Sequence, residues 1–273
     1  MMKDMSVDEY NRFRAVLEKN SGIMLGEGKE YLVTSRLRRM MEREALDSVT
    51  SLLSAMERNR SLLEQVVDAM TTNETLWFRD DHPYRIFRDR LLPEVAANRR
   101  PLKIWSSACS TGQEPYSLSI EIEEFRRKNP GQLVTGERIL ATDISPSALA
   151  AAKEGVYQQL AIRRGMNDQH LKTYFDVLDN ERWRVKDPIR ARVDFRSQNL
   201  QQSFGLLGKF DIIFCRNVLI YFSADLKYDI LKRMHSCLNP GGYLMLGASE
   251  AMNNLSDYYE MIQCHPGIVY RAR

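Results

Sequence analysis

From about residue 101 the sequence alternates short apolar runs with longer amphipathic stretches, and no other feature constrains the fold as strongly. Leu102–Trp105 reads as a strand running into Ser106–Gly112 (SSACSTG). A helix follows, with Pro115 in its first turn and Leu118, Ile122 and Phe125 along one face. Arg138–Asp143 (RILATD) predicts a second strand, and Ser145-Pro146 caps an alanine-rich helix. Phe210–Cys215 (FDIIFC) is a strongly apolar strand. Leu226–Cys237 predicts a helix stopped by Asn239-Pro240-Gly241-Gly242, and Tyr243–Leu246 a strand. The last residues predict a hairpin turning at His265-Pro266-Gly267. Such alternation implies a mostly parallel sheet covered by helices on both faces. Trp183–Arg196 breaks the alternation and predicts short antiparallel strands inserted in the α/β unit.

Residues 1 to about 70 carry no strand pattern. Ser6–Glu9 form a capping box before Tyr10, Phe13 and Leu17, which share a helical face. Tyr31–Glu44 predicts a second helix, and Ser48–Met70 two more, divided near Asn59. The joint, Thr71–Asp81 (TTNETLWFRDD), opens like a helix cap, with Thr71 three residues before Glu74.

Composition excludes several classes. A chain of 273 residues, 44% hydrophobic and 27% charged, suffices for one or two globular domains. A net charge of +3 is too small to imply nucleic acid. No apolar run suggests a signal peptide or a membrane span, so a cytoplasmic chain, not embedded in a membrane, is expected. Cys109, Cys215, Cys237 and Cys264 have neither disulfide nor zinc spacing, and the histidines show no ligand spacing, so no metal is expected. The glycosylation pattern at Asn73-Glu74-Thr75 loses its meaning in such a chain.

In an open α/β sheet, ligands bind beyond the carboxyl ends of the strands. Four polar clusters fall there. In Ala108–Glu114 (ACSTGQE) the residues are small enough for close backbone approach, but the glycine pattern of pyrophosphate binding is missing. Glu114 at the helix start favours a cation; the plain alternative is a tight turn with an acidic first turn. Asp143, ending a strand, suits ribose hydroxyls, and its rival role as helix cap is already filled by Ser145. Asn199-Leu200 and Cys215–Phe222 (CRNVLIYF) complete the set. Arg216 after an apolar run must be partnered or functional; an interdomain ion pair is the alternative. A nucleoside ligand carrying positive charge and no pyrophosphate fits this pattern, and S-adenosylmethionine is such a ligand.

Thr71–Arg79, Trp105–Ser117, Ala141–Ile144, Gly155–Tyr157, Asn199-Leu200 and Phe210–Phe222 together resemble the CheR family of chemoreceptor glutamate O-methyltransferases, over nearly the whole chain. The resemblance implies an all-α N-terminal domain with linker (1–75) and a class I S-adenosylmethionine-dependent methyltransferase domain (76–273). The latter would carry an antiparallel β-subdomain near 177–197. It implies methyl transfer from S-adenosylmethionine to receptor glutamates, leaving S-adenosylhomocysteine. By position, Asn73, Thr75, Arg79, Glu114, Asp143, Asn199, Leu200, Arg216 and Asn217 match the family's cofactor contacts, and Arg79 and Tyr221 its residues near the transferred methyl. Arg79 has two open roles, on the substrate carboxylate or on that of the cofactor.

Methyl-accepting chemoreceptors are then the expected partners, with room for a regulatory protein; nothing in the sequence demands more than a monomer. Arg36, Arg39 and Arg43 share a helical face that would steer an acidic receptor helix; the plain alternative is a solvated face. Val177–Arg182 (VLDNER) is short and lacks the glycine of family members that dock a receptor tail, so docking without a tail is expected. Among rival readings, a non-catalytic S-adenosylmethionine-binding signalling module would tolerate loss of Arg79 or Tyr221, yet both are present. A nucleic-acid methyltransferase would favour a basic surface and a base-flipping run, which are missing.

Overall fold

The structure, a computed structural model, describes residues 5–98, 100–133, 136–179, 181–252, 254–265 and 267–273. Pro266 of the expected hairpin turn and Asn180 of the Val177–Arg182 stretch lie outside the described residues.

Four helices open the chain: α1 (Val7–Ser21), α2 (Glu30–Arg43), α3 (Val49–Arg58) and α4 (Arg60–Met70). The Ser6–Glu9 capping box forms, and Gly22 closes α1 in a left-handed conformation. Asn59 both ends α3 and caps α4. Tyr10, Phe13, Leu17, Val33, Leu37, Leu52 and Val66 build a core of their own. Thr71 does not cap a following helix: it ends α4, and the chain then runs without regular structure to Leu76. Residues 82–96 are helical throughout, as α5 (His82–Ile86), a π-helical turn at Phe87–Leu91 and α6 (Leu92–Ala96).

The α/β unit follows in the order β1 (Leu102–Ser107), α7 (Gln113–Lys128), β2 (Glu137–Asp143), α8 (Pro146–Glu154), β3 (Val156–Gln158), α9 (Gln159–Arg163), α10 (Asp168–Tyr174), β4 (Phe175–Val177), β5 (Arg182–Val185), α11 (Asp187–Arg190), β6 (Val193–Ser197), β7 (Phe210–Cys215), α12 (Ala224–His235), β8 (Leu238–Leu246), β9 (Tyr259–Cys264) and β10 (Gly267–Ala272). A seven-stranded sheet has the order β6-β2-β1-β7-β8-β10-β9. Its first five strands pair in parallel, and the terminal hairpin adds two antiparallel ones. Both faces are buried: Ile104, Ile212 and Phe214 pack with α7, while Trp105, Ile213 and Cys215 pack with α12. The chain leaves β1 first toward β2 and β6 and later toward β7 and β8, so the strand order reverses between β1 and β7. That is where a ligand crevice opens.

Two expectations are corrected. The small antiparallel sheet is built from β3, β5 and β4, and of Trp183–Arg196 only Trp183–Val185, within β5, belongs to it. Val193–Ser197 instead pairs in parallel with β2, because burying Phe195 against Tyr116 turns the polar Asp194 and Arg196 outward at the sheet edge. The Leu238–Gly242 stretch does not separate helix from strand: α12 ends at His235 and β8 already begins at Leu238. The pairing with β7 shifts register there, from Phe210↔Leu238 to Ile212↔Tyr243. A Cβ on Gly242 would lie 2.9 Å from the carbonyl oxygens of Asp211 and Asn239, so only glycine fits the irregularity.

Candidate active site

The crevice at the carboxyl ends of β1, β2, β6 and β7 is closed from above by the end of α1 and by the linker 70–75, forming a cleft of about 960 Å³ including its mouth. Asn73, Thr75, Arg79, Glu114, Asp143, Asn199, Leu200, Arg216, Asn217 and Tyr221 all line this one cleft.

Asp143 ends β2 with both carboxylate oxygens turned to backbone: the Ser110 N–H donates to Oδ2 at 2.7 Å and the Ser145 N–H to Oδ1 at 2.9 Å. Burial pushes its carboxyl above the usual range, and these amide bonds oppose the shift. Glu114 is buried at the start of α7, accepting from Ser106 Oγ at 2.8 Å and from Arg216 Nη1 at 3.0 Å. Burial raises it too, against the pull of Arg216. Arg216 is partnered on both sides, since Nη2 donates to Asp80 Oδ2 at 2.8 Å and to the Arg79 carbonyl at 2.9 Å. It ties the linker to the first turn of α7. The Oη of Tyr84 and the Nε of Arg216, both buried in residues that line the cleft, have no hydrogen-bond partner among the described residues.

The linker is anchored by aromatic packing. Trp77 is fully buried and stands edge-on to Tyr157 of β3 at 4.9 Å and to Phe175 of β4 at 5.2 Å. The small sheet is therefore the socket of the linker. Asn73 then spans to Ser145 (3.3 Å), its carbonyl accepts from Ser110 Oγ (2.9 Å), and the half-buried Arg79 donates to the Glu74 carbonyl at 3.1 Å. Asn199 donates to the Asn20 carbonyl at 2.8 Å, joining the end of β6 to α1.

Backbone strain concentrates around the cleft: Phe78, Asp80, Asp81, Ala108, Ser110 and Asn217 all have positive φ without being glycine. At Asn217 the cause is visible. The Glu250 carboxylate accepts the N–H groups of Gly247 (2.8 Å), Asn217 (2.7 Å), Val218 (2.9 Å) and Leu219 (2.7 Å), curling residues 216–219 over the end of β7. Sequence reasoning missed Glu250, Asp80 and Tyr84. Only Asp80, next to Arg79, carried a signal, as a carboxylate within reach of a buried arginine.

Of the three α2 arginines, Arg39 and Arg43 are exposed, but Arg36 is not part of a free basic face. Its guanidinium donates to the carbonyls of Met70 (2.7 Å) and Thr71 (2.8 Å), supplying donors that the end of α4 lacks. Among the described residues no cluster of three or more His, Cys, Asp or Glu could hold a metal ion, and no helix is long and apolar enough to cross a membrane.

Comparison with known proteins agrees with this division of labour. The family model described as the CheR methyltransferase all-alpha domain matches residues 8–71, and that of the CheR methyltransferase SAM-binding domain matches residues 73–268. The chain is 55% identical over 268 residues to chemotaxis protein methyltransferase 1 of Pseudomonas aeruginosa, covering 97% of this chain and 98% of that protein. It is 54% identical to chemotaxis protein methyltransferase Cher2 of Pseudomonas putida, over 97% and 98% of the two chains. The chemotaxis protein methyltransferase of Salmonella typhimurium is 34% identical, over 92% and 86%. With both domains matched in order and relatives aligned almost end to end, the chain belongs to the CheR family of S-adenosylmethionine-dependent chemotaxis methyltransferases.

Proposed function

We propose that this protein, working in the cytoplasm, esterifies glutamate side chains on the cytoplasmic helices of chemoreceptors. The observation that carries the reading is a single cleft, walled by the sheet ends and roofed by the linker, in which Arg79 and Tyr221 stand with Glu114 and Asp143. Bound there, S-adenosylmethionine supplies a methyl group on a sulfonium centre. A glutamate carboxylate, with an ordinary pKa of about 4.3, is already a nucleophile at neutral pH, so no general base is needed. What the chain must do is align the reactants and exclude water. Asp143 is suited to the ribose hydroxyls, and Asn73, Thr75, Asn199, Leu200 and Asn217 to the rest of the nucleoside and its approach. Among the described residues Arg79 engages one backbone carbonyl, which leaves donors to hold the incoming carboxylate. Tyr221, which lines the same cleft, orients it. Arg39 and Arg43 are the exposed residues for steering a receptor helix, and docking proceeds without a receptor tail.

Incubation with S-adenosylmethionine tritiated on the methyl and receptor-containing membranes tests this. Base-labile incorporation into the receptor is expected; label stable to base, or none, overturns it. Arg79→Ala should lose turnover, and full activity in that variant would remove Arg79 from the reaction.

A further inference from the structure

The two ends of the cofactor make different demands. Its nucleoside end needs hydroxyl and edge partners, and Asp143 lies at a strand end suited to them. Its methionyl end is a zwitterion and needs an acceptor for the ammonium and donors for the carboxylate. Glu114 is a buried acceptor in the cleft. Donor capacity is less obvious, because Arg216 has spent Nη1 on Glu114 and Nη2 on Asp80 and the Arg79 carbonyl.

Besides the spare donors of Arg79, two buried donors have no partner among the described residues, Arg216 Nε–H and Tyr84 O–H. Tyr84 is 1% exposed, its ring is set edge-on to Phe78 at 5.3 Å, and the Arg216 guanidinium lies 5.7 Å from its centroid. Burying a hydroxyl with no partner is costly, so one kept in a ligand cleft marks a bond that the ligand completes. Burial, then the nearby Glu114 charge, push the Tyr84 pKa up against the opposing pull of the adjacent Arg216 side chain, which keeps the hydroxyl protonated as a donor. The carboxylate is the anionic group that the cofactor brings.

We propose that Tyr84 is a cofactor-binding residue whose hydroxyl donates to the carboxylate of the methionyl end, beside the Nε–H of Arg216. The assignment rests on the cleft holding S-adenosylmethionine and names the residue that reads its amino-acid half.

The test is calorimetry on the full chain and on Tyr84→Phe with two ligands. S-adenosylhomocysteine keeps the carboxylate; 5′-methylthioadenosine has the nucleoside and the thioether but no amino-acid end. Tyr84→Phe should raise Kd for S-adenosylhomocysteine about tenfold, the loss of one hydrogen bond to a charged acceptor. Kd for 5′-methylthioadenosine should stay within about twofold. Thermal unfolding without ligand should occur at the same temperature or higher, since phenylalanine removes an unpaired hydroxyl. Equal losses for both ligands, or none for either, overturn the proposal. With the unmodified chain, decarboxylated S-adenosylhomocysteine should bind at least about tenfold more weakly than the parent; equal binding overturns the proposal even if the variant fails to fold. Failure of the unmodified chain to bind S-adenosylhomocysteine would instead overturn the placement of the cofactor in this cleft.

Discussion

At the scale of single residues, carboxylates in this protein are shifted in opposite directions for opposite purposes. Asp143 and Glu114 are raised by burial, so at neutral pH their charge works against folding; on the proposed function that charge serves the ligand. As pH falls through their raised pKa values they protonate, the folded chain without ligand gains relative stability, and a ligand held by its ammonium and ribose hydroxyls loses acceptors. The Kd for S-adenosylhomocysteine should therefore climb at a pH above the ordinary carboxylate range; a flat profile down to about pH 4 would contradict this. Asp143→Asn keeps one acceptor oxygen but sets an amide NH₂ against a backbone N–H. It should weaken S-adenosylhomocysteine about 10- to 100-fold by calorimetry, the worth of one or two hydrogen bonds to a charged group. Glu9 behaves the other way. Its pKa is lowered to about 2, chiefly by the Ser6 N–H and then by the Thr50 side chain, through which it also reaches the N-terminus of α3. That contribution is fully present above the unfolded value near 4.5 and is lost as pH falls toward 2. Glu9→Gln should flatten the acid limb of helix unfolding followed by circular dichroism.

At the scale of elements, the loop after β7 and the linker are conformations imposed from outside. Glu250 holds the 216–219 loop through three of its four amide bonds, leaving the fourth to Gly247. Glu250→Gln retains one good acceptor and turns a donor toward two N–H groups. A drop in kcat of roughly tenfold or more, with a small shift in Tm, is expected in steady-state assays, as for a positioning error of about 1 Å. The linker depends on Gly165, whose φ is +103° and whose added Cβ would stand 2.0 Å from the Trp77 carbonyl oxygen. Gly165→Ala should cost more than about 1 kcal/mol in chemical denaturation and loosen cofactor binding with it, because Trp77 cannot stay seated. The longer helices (α1–α4, α7, α8 and α12) and most strands were legible from periodicity, since each reports its own buried face; the short helices of 82–96 and 159–190 were not. Val193–Ser197 was legible as a strand but not as a partner of β2, because an alternating pattern says nothing about which edge it joins.

At the scale of the whole molecule, the helical domain is part of the site rather than an appendage. Asn199 and Gln201 donate to carbonyls of α1, the Met24 N–H donates to the Tyr221 carbonyl at 2.9 Å, and Asp68 of α4 accepts from Ser145 and Ser147. On the proposed function, a receptor helix meets the exposed side of α2, the helix that Arg36 ties to the linker at Met70 and Thr71. Replacing both Arg39 and Arg43 with alanine should raise KM for receptor membranes several-fold with kcat unchanged, and the difference should shrink as salt rises. Equal KM values at low salt would remove α2 from docking. A receptor-tail peptide should give no heat of binding in calorimetry.

The sequence by itself determined the two kinds of architecture along the chain and the clusters at strand ends, from Ala108–Glu114 to Arg216 and Asn217. Both are local: periodicity reports burial, and ligands gather where strands end. Tertiary structure alone decided that Glu250 meets four amides, that Arg36 supports the linker rather than a docking face, and that Tyr84 reaches the cleft with its hydroxyl unpaired. These depend on backbone brought together from distant parts of the chain, and a buried polar atom gains or lacks a partner only after that assembly.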